Sequence, residues 1–197
     1  PFDTVIERIE ASLDAPWQAA FSSIAKEPLG SASIAQVHKA TTHDGTVVAV
    51  KVRRPGIAQQ MAEDITLMKH LLALAEFSNI APNGLVLTAD DLVSELERTT
   101  AEEVDFSIEL ENLKRFHEEI EGQRGVTSPL PFPEYSSDSM LVMEFVSGTL
   151  LDDKSALEAQ GKDLAAIGER LAQSYVTQVV DDGFFHADPH PGNIVIN

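Results

Sequence analysis

An Asp-Gly turn between two strand-forming segments sets the beginning of the fold. Residues 33–40 form the first segment, the turn is at Asp44-Gly45, and residues 46–52 form a strongly β-branched second segment. An Asp-Gly pair in this setting predicts a β-hairpin. Both faces of the second strand are apolar, yet the strand contains Lys51. A lysine there requires a nearby anion, unless its side chain reaches solvent from the end of the strand.

Helical periodicity covers much of the remaining chain. A first helix carries apolar residues at helical spacing, with Thr4 and Glu7 spaced as a capping box, and the pattern stops at Pro16. We interpret residues 1–20 as a peripheral packing helix. Further helices are predicted over residues 57–75, about 90–120 and 164–180.

Non-helical segments separate these helices. Pro82-Asn83-Gly84 predicts a loop, and the three prolines in residues 127–133 predict an irregular stretch. The apolar run at residues 139–146 predicts a buried strand, which Ser147-Gly148 ends. Residues 194–197 again have the composition of a strand, so we expect the sequence to be a fragment of a longer protein.

The order of these elements predicts the fold class. A hairpin followed by helices, a strand, a helix, a loop and a strand is not the regular alternation of a doubly wound sheet. It fits an α+β fold, in which a lobe built on an antiparallel sheet precedes the start of a helical lobe. We place the first lobe at residues 21–146 and the beginning of the second at residues 147–197.

Composition excludes several classes of function. The chain has 14 Lys and Arg against 32 Asp and Glu, a formal net charge of −18. This argues against a nucleic-acid binder, because a phosphate backbone requires a basic face, although a small phosphate ligand needs only local cations. The sequence has no cysteine, which excludes disulfides and thiolate metal sites. We see no signal peptide and no spanning segment, and therefore expect a cytoplasmic protein.

Two regions contain candidate polar site residues. Asp105 and Glu109 are four apart on the predicted acidic helix and share a face, whereas Glu103 lies on another face. Either a site or a solvated surface would explain these carboxylates, and spacing alone does not select a partner for Lys51. The small-residue turn, residues 30–33, would let the backbone approach a ligand closely, which is a weak signal by itself.

The terminal loop, residues 184–193, is the most informative segment. Asp188 and Asn193 are five apart across two prolines and a glycine, a spacing that suits a general base and a Mg²⁺ ligand in phosphoryl transfer. A loop made only of turn-forming residues is the simpler interpretation, but it explains His186 and His190 less well. Because His186, Asp188 and His190 alternate, they could instead bind a metal in a hydrolase.

Five segments together resemble one family. Residues 28–38 look like an alanine-rich nucleotide loop and residues 48–55 like a lysine strand. Residues 103–109 look like a Glu-x-Asp motif, residues 141–148 like a hinge, and residues 185–193, FHADPHPGN, like a catalytic loop. The family is the UbiB-like, or AarF-like, atypical kinases of the protein-kinase-like fold, associated with ubiquinone biosynthesis.

The resemblance implies specific roles. Lys51 would hold the α- and β-phosphates of ATP, paired with Glu109, and the side chain nearest Lys51 is therefore predicted to be Glu109. Asp188 would be the catalytic aspartate and Asn193 a Mg²⁺ ligand. The other nucleotide-binding residues would be the small-residue turn (Gly30, Ser31, Ala32, Ser33), the Glu-x-Asp acids (Glu103, Asp105) and the hinge backbone (Glu144, Val146), with Met143 bordering the pocket.

The sequence also departs from the family. An Asp-Phe-Gly beyond Asn193 and a Lys-x-Gly-Gln before residue 1 are not in it, so the segment alone could be inactive, and Gly30 replaces an alanine of many relatives. The expected partners are ATP or ADP, Mg²⁺, and lipid or quinone precursors or quinone-biosynthesis proteins. We expect membrane association only through other regions, at the inner membrane, or in a mitochondrion or plastid of a eukaryote. A nucleotide-binding scaffold without turnover is the main alternative to a kinase or ATPase.

Overall fold

A computed structural model describes residues 1–77 and 89–197. The loop predicted at Pro82-Asn83-Gly84 lies outside the described residues. The helices are α1 Phe2–Leu13, α2 Ile57–Phe77, α3 Ala89–Val104, α4 Phe106–Ile120, α5 Lys154–Ala159 and α6 Leu164–Thr177. The strands are β1 Phe21–Ser31, β2 Ala35–Thr42, β3 Val47–Arg53, β4 Met140–Glu144, β5 Thr149–Leu150 and β6 Val195–Ile196.

The predicted hairpin is confirmed as β2 and β3 of a four-stranded sheet. The strand order is β1-β2-β3-β4, and β2 pairs antiparallel with both β1 and β3. The carboxylate of Asp44 closes the turn by accepting hydrogen bonds from the hydroxyl groups of Thr42 and Thr46 and from the Thr46 N–H. These bonds, that of Thr42 above all, hold the pKa of Asp44 below its ordinary value.

Strand β1 was not predicted from the sequence. Strand β1 includes Gly30 and Ser31, so the connection between β1 and β2 consists of residues 32–34. The small-residue turn that the sequence predicts at residues 30–33 therefore lies partly within β1. Most of the strand is exposed, and its pairing with β2 shifts register on both sides of Pro28. A bulged, exposed strand shows no regular alternation of apolar residues, and a proline is tolerated there.

The long acidic helix predicted over residues 90–120 is in fact two helices, α3 and α4, that meet at Asp105. The Asp105 carboxylate accepts a hydrogen bond from the Ser107 N–H at 3.0 Å, which is the position and bond of an N-cap. The N–H of the fully buried Phe106 donates to the carbonyl of Asp138 at 2.9 Å. The prediction that Asp105 and Glu109 share one face of a helix is therefore wrong, because Asp105 precedes the first residue of α4.

Helix α1 packs through Val5 and Ile9, which are buried. Its predicted capping box is wrong, because the helix already begins at Phe2 and Thr4 lies inside it. The helix ends with Asp14 in the left-handed conformation. The apolar interior of the sheet includes Phe21, Val48, Val50, Met140, Leu141 and Val142, each at most 1% exposed.

The chain divides into two compact units that are interleaved in sequence. Residues 1–109 with 133–142 form the first, and residues 110–132 with 143–197 form the second. The division predicted from the sequence, into a peripheral helix at residues 1–20 and lobes at residues 21–146 and 147–197, stays a prediction. In the part of the chain that the structure describes, no helix has both the length and the apolar character needed to cross a membrane.

The second unit is built around α6. Asp163 caps this helix by accepting hydrogen bonds from the N–H groups of Ala165 and Ala166. Residues Gln178–Asp182 continue α6 as a π-helical turn that ends at Gly183, whose φ of 65° suits glycine. The terminal loop follows, and β6 then pairs antiparallel with β5.

Candidate functional site

In the first unit, Lys51 and Glu109 form a bidentate ion pair. Lys51 lies on β3 opposite Val37, and its Nζ is 2.8 Å from Oε1 and 2.6 Å from Oε2 of Glu109. The same Nζ lies 4.7 Å from the ring centroid of Phe106, within cation–π distance. The predicted contact between Lys51 and Glu109 is thus confirmed. The Lys51 side chain is only partly buried, since it is 22% exposed.

The start of α4 places Glu109 at this position. Because Asp105 caps the helix and Phe106 is fully buried, the first turn is fixed against the first unit. Glu109 belongs to this turn, where the helix dipole favours a carboxylate. Glu103 is exposed at the end of α3, and the carboxylate of Asp105 is bonded to both the N–H and the hydroxyl of Ser107. Of the three predicted acids, only Glu109 meets Lys51.

Arg54 holds the small-residue turn. Its Nε donates to the carbonyl of Ala32 at 2.9 Å, and its Nη2 donates to the hydroxyl of Ser31 at 2.7 Å. A Cβ atom built on Gly30 would meet no atom within 4 Å. An alanine at this position would therefore also fit.

The predicted hinge segment, residues 141–148, begins within β4 and continues beyond the end of the strand. The Glu144 N–H donates to the carbonyl of Leu130 at 2.8 Å, and the Glu144 carboxylate accepts from the Leu130 N–H at 3.2 Å. Met143 forms a β-bridge with Pro131, and Val146 lies just after the strand. This part of the second unit is tied to the proline-rich segment by backbone and side chain alike.

In the terminal loop, Asp188 and Asn193 contact each other directly. The Asn193 Nδ2 donates to Asp188 Oδ2 at 2.9 Å and reaches the Asp188 carbonyl at 3.3 Å. The other carboxylate oxygen, Oδ1, accepts from the His190 N–H at 3.3 Å. The structure therefore brings together the two residues that the sequence selects in this loop.

The two loop histidines support the backbone. His186 Nδ1 accepts a hydrogen bond from the Asp188 N–H at 3.2 Å, and His190 Nδ1 accepts from the Gly192 N–H at 3.1 Å. Within the described residues, no three histidine, aspartate or glutamate side chains are grouped so that they could hold a metal ion. The alternative of a His-Asp-His metal site thus receives no support from the geometry.

A chain of polar side chains, missed by the sequence analysis, holds the loop from α6. The Ser174 hydroxyl donates to Gln123 Oε1 at 2.7 Å, and Gln178 Nε2 donates to the Ser174 hydroxyl at 3.1 Å. Gln178 Oε1 then accepts from the His186 N–H at 3.3 Å, and the Tyr175 hydroxyl donates to the His186 carbonyl. Ser174 and Gln178 are buried, so these bonds also satisfy their polar atoms. No local sequence signal marks these residues.

A four-stranded sheet with a lysine–glutamate pair and a loop with paired Asp and Asn define a kinase-like domain. Residues 1–197 match the family described as the ABC1 atypical kinase-like domain, and the chain belongs to that family.

Individual relatives agree with this assignment. The chain is 37% identical over 199 residues to "Probable protein kinase UbiB" of Sodalis glossinidius, covering 100% of this chain and 36% of that protein. It is 33% identical over 189 residues to "Protein ACTIVITY OF BC1 COMPLEX KINASE 7, chloroplastic" of Arabidopsis thaliana, covering 96% and 27%. The chain thus spans about a third of the length of these curated relatives.

One solved structure is similar over the whole chain. It is described as the complex of Rv3197 with erythromycin from Mycobacterium tuberculosis, and it matches with a TM-score of 0.83 and 27% sequence identity. The match covers 100% of this chain and 48% of that one. It supports the kinase-like α+β fold.

Proposed function

We propose that this chain is the nucleotide-binding part of a UbiB-type atypical kinase or ATPase. It would transfer the γ-phosphoryl group of ATP with Mg²⁺, in support of ubiquinone biosynthesis. The observation that carries the proposal is the bidentate Lys51–Glu109 pair in a chain that matches a kinase-like family from end to end.

Lys51 would bind the phosphates of the nucleotide. An ammonium group has three N–H donors, and Glu109 accepts from Nζ through both carboxylate oxygens. The remaining donor is available for a phosphate oxygen, while Glu109 and the Phe106 ring keep the group in place. Its partial exposure, 22%, leaves a path for a ligand.

Asp188 would orient the nucleophile and accept its proton. The Asn193 amide nitrogen is bonded to the Asp188 carboxylate, so its amide oxygen points to the other side and can serve as a metal ligand. An amide oxygen is among the oxygen donors that Mg²⁺ accepts in proteins, and Asn193 therefore fits this ion. When bound, Mg²⁺ would neutralise the charge that develops on the phosphates.

The remaining nucleotide contacts come from backbone groups. The small-residue turn would cover the phosphates, fixed by Arg54 through Ser31 and Ala32. The Glu144 N–H is already bonded to Leu130, which leaves the Glu144 carbonyl and the Val146 N–H to bind adenine beside Met143.

The acceptor and the location belong to the same proposal. A quinone or lipid precursor, a protein of quinone biosynthesis, or water would receive the phosphoryl group. The full-length protein would act in the cytoplasm at the inner membrane, or in an organelle of a eukaryote. These assignments rest on the likeness to UbiB proteins, supported by the family match.

Lys51→Met tests the proposal. In the full-length protein, we expect this change to weaken binding of Mg²⁺-ADP about tenfold or more, because it removes a charged donor to phosphate. Lys69→Met is the matched control, since Lys69 also pairs with a glutamate, Glu97, at 2.6 Å but on α2. Equal affinities of both variants and the unchanged protein in calorimetry would refute the assignment of Lys51.

A second measurement separates an enzyme from a scaffold. Release of phosphate from ATP, or its transfer to an acceptor, should depend on Asp188 while nucleotide binding does not. A full-length protein that binds Mg²⁺-ADP through Lys51 but never turns over ATP would be the scaffold.

A further inference from the structure

The first unit contains a cavity lined by three arginines. Its volume is about 220 Å³, and Arg8 of α1 and Arg53 and Arg54 at the end of β3 contribute to its wall. The chain has only 14 basic residues against 32 acidic ones. Three arginines at one cavity in so acidic a protein form a local positive site. Neither Lys51 nor the terminal loop contributes to the wall of this cavity.

The three guanidinium groups differ in how their charge is balanced. Arg53 is paired with the Asp138 carboxylate at 3.2 Å and also donates to the carbonyls of Val104 and Asp138. The hydrogen bonds of Arg54 go to two neutral oxygens in the small-residue turn. Arg54 thus has five donors and no carboxylate partner among the described residues.

Arg8 is the least satisfied of the three. Its Nε is buried without a hydrogen-bond partner, and the guanidinium forms no ion pair with any residue in the described ranges 1–77 and 89–197. A buried charged donor without a partner is costly, so the site is better satisfied when an anion is bound. Arg8 and Arg54 together provide two uncompensated positive charges at one cavity.

We propose that this cavity binds a phosphate group. A phosphate carries close to two negative charges, which balances Arg8 and Arg54, and guanidinium groups bind phosphate through paired, directional N–H donors. The volume exceeds that of a phosphate, and Val5, Val52 and Pro55 add apolar wall. The phosphate therefore comes either from free inorganic phosphate or from a small phosphate ester whose organic part contacts this wall.

The test measures binding of two probes to the full-length protein. Inorganic phosphate and phenyl phosphate are each titrated at constant ionic strength and followed by ³¹P NMR, with and without a saturating non-hydrolysable ATP analogue. The analogue separates this cavity from the nucleotide-binding residues. Arg8→Gln should weaken binding about tenfold or more, because it removes a charged donor.

Controls make the outcome specific. Arg124→Gln removes an exposed arginine of the second unit and should leave both affinities unchanged. Lys51→Met should likewise not affect this site, so failure of the proposed nucleotide function would not imitate failure here. Arg8→Lys should keep part of the affinity, since it retains the charge.

The relative affinities of the two probes identify the source of the phosphate group. Tighter binding of phenyl phosphate than of phosphate, lost in Arg8→Gln, supports an organic phosphate ligand. Equal binding of both probes, lost in the same variant, supports free phosphate. If neither probe binds in the presence of the analogue, or if Arg8→Gln and Arg124→Gln bind equally well, the proposal is wrong.

Discussion

Glu109→Gln separates the effect of the ion pair on stability from its effect on the nucleotide. The change keeps the volume of the side chain and one oxygen acceptor, but it removes the negative charge that holds Lys51. The Glu109 side chain is 42% exposed and that of Lys51 is 22% exposed, so solvent screens the pair. Pairs of this kind contribute about 0.5–1 kcal/mol to stability, which corresponds to about 1–4 °C in melting temperature for a domain of this size.

The effect on nucleotide binding should be larger than this. Without the Glu109 carboxylate, only a neutral amide oxygen and the Phe106 ring at 4.7 Å hold the ammonium group, which can then leave the position that a phosphate oxygen requires. Charged hydrogen bonds contribute about 1.5–3 kcal/mol, which corresponds to roughly a tenfold to hundredfold loss of affinity for Mg²⁺-ADP.

Calorimetric titration and thermal unfolding of the same preparations measure both quantities. Glu111→Gln is the matched control, because Glu111 lies on the same helix and forms a 2.6 Å pair with Lys114 that is more exposed. If Glu109→Gln and Glu111→Gln bind the nucleotide equally well, Glu109 does not position Lys51 for a ligand. A melting temperature lowered by far more than about 4 °C would mean that the pair is mainly structural.

Other predictions concern the terminal loop, the hairpin turn and β6. In a full-length protein that turns over ATP, excess Mg²⁺ should partly restore Asn193→Ala, which loses one ligand oxygen, but not Asp188→Asn; equal recovery would make Asp188 only a ligand. Because its pKa is lowered in the folded protein, the ionised Asp44 carboxylate stabilises the hairpin at neutral pH, and this stability is lost as the pH falls through the folded pKa. The urea midpoint of Asp44→Asn should therefore be lower than that of the unchanged protein at pH 7, and it should change less than that of the unchanged protein when the pH is lowered. Gly148→Ala would place a methyl group 2.5 Å from a backbone oxygen of β6 and should destabilise the protein by about 1–3 kcal/mol in urea, unlike Gly168→Ala, which has open space.

The sequence predicts those parts of the fold that local chemistry or motif spacing determines. The Asp44-Gly45 turn fixed the hairpin because few dipeptides adopt its backbone conformation. The continuous apolar run predicts β4 because a strand that is buried, as β4 is at Leu141 and Val142, requires apolar residues on both faces. Lys51 indicated an anion by its apolar surroundings, and the resemblance to a family then selected Glu109 among the nearby acids.

The missed features depend on contacts between distant residues. The break between α3 and α4 at Asp105 occurs because the Phe106 N–H binds Asp138, far away in sequence, instead of continuing a helix. Strand β1 is held by pairing with β2 despite its bulges and exposure, so its own residues carry no clear pattern. The polar chain beneath the terminal loop joins Gln123 to Ser174, which are 51 positions apart.

That polar chain has a consequence for how the sequence can change over evolution. Gln123, Ser174 and Gln178 are joined by hydrogen bonds in series, and Gln178 presents a single acceptor to the His186 N–H. A substitution at one of them leaves a buried polar atom of the next without its partner, which costs about 1–3 kcal/mol. Compensating changes at the other two would recover this energy only if they kept that acceptor in place. Among distant homologues, the three positions should therefore covary as a group, while the exposed residues around them drift independently.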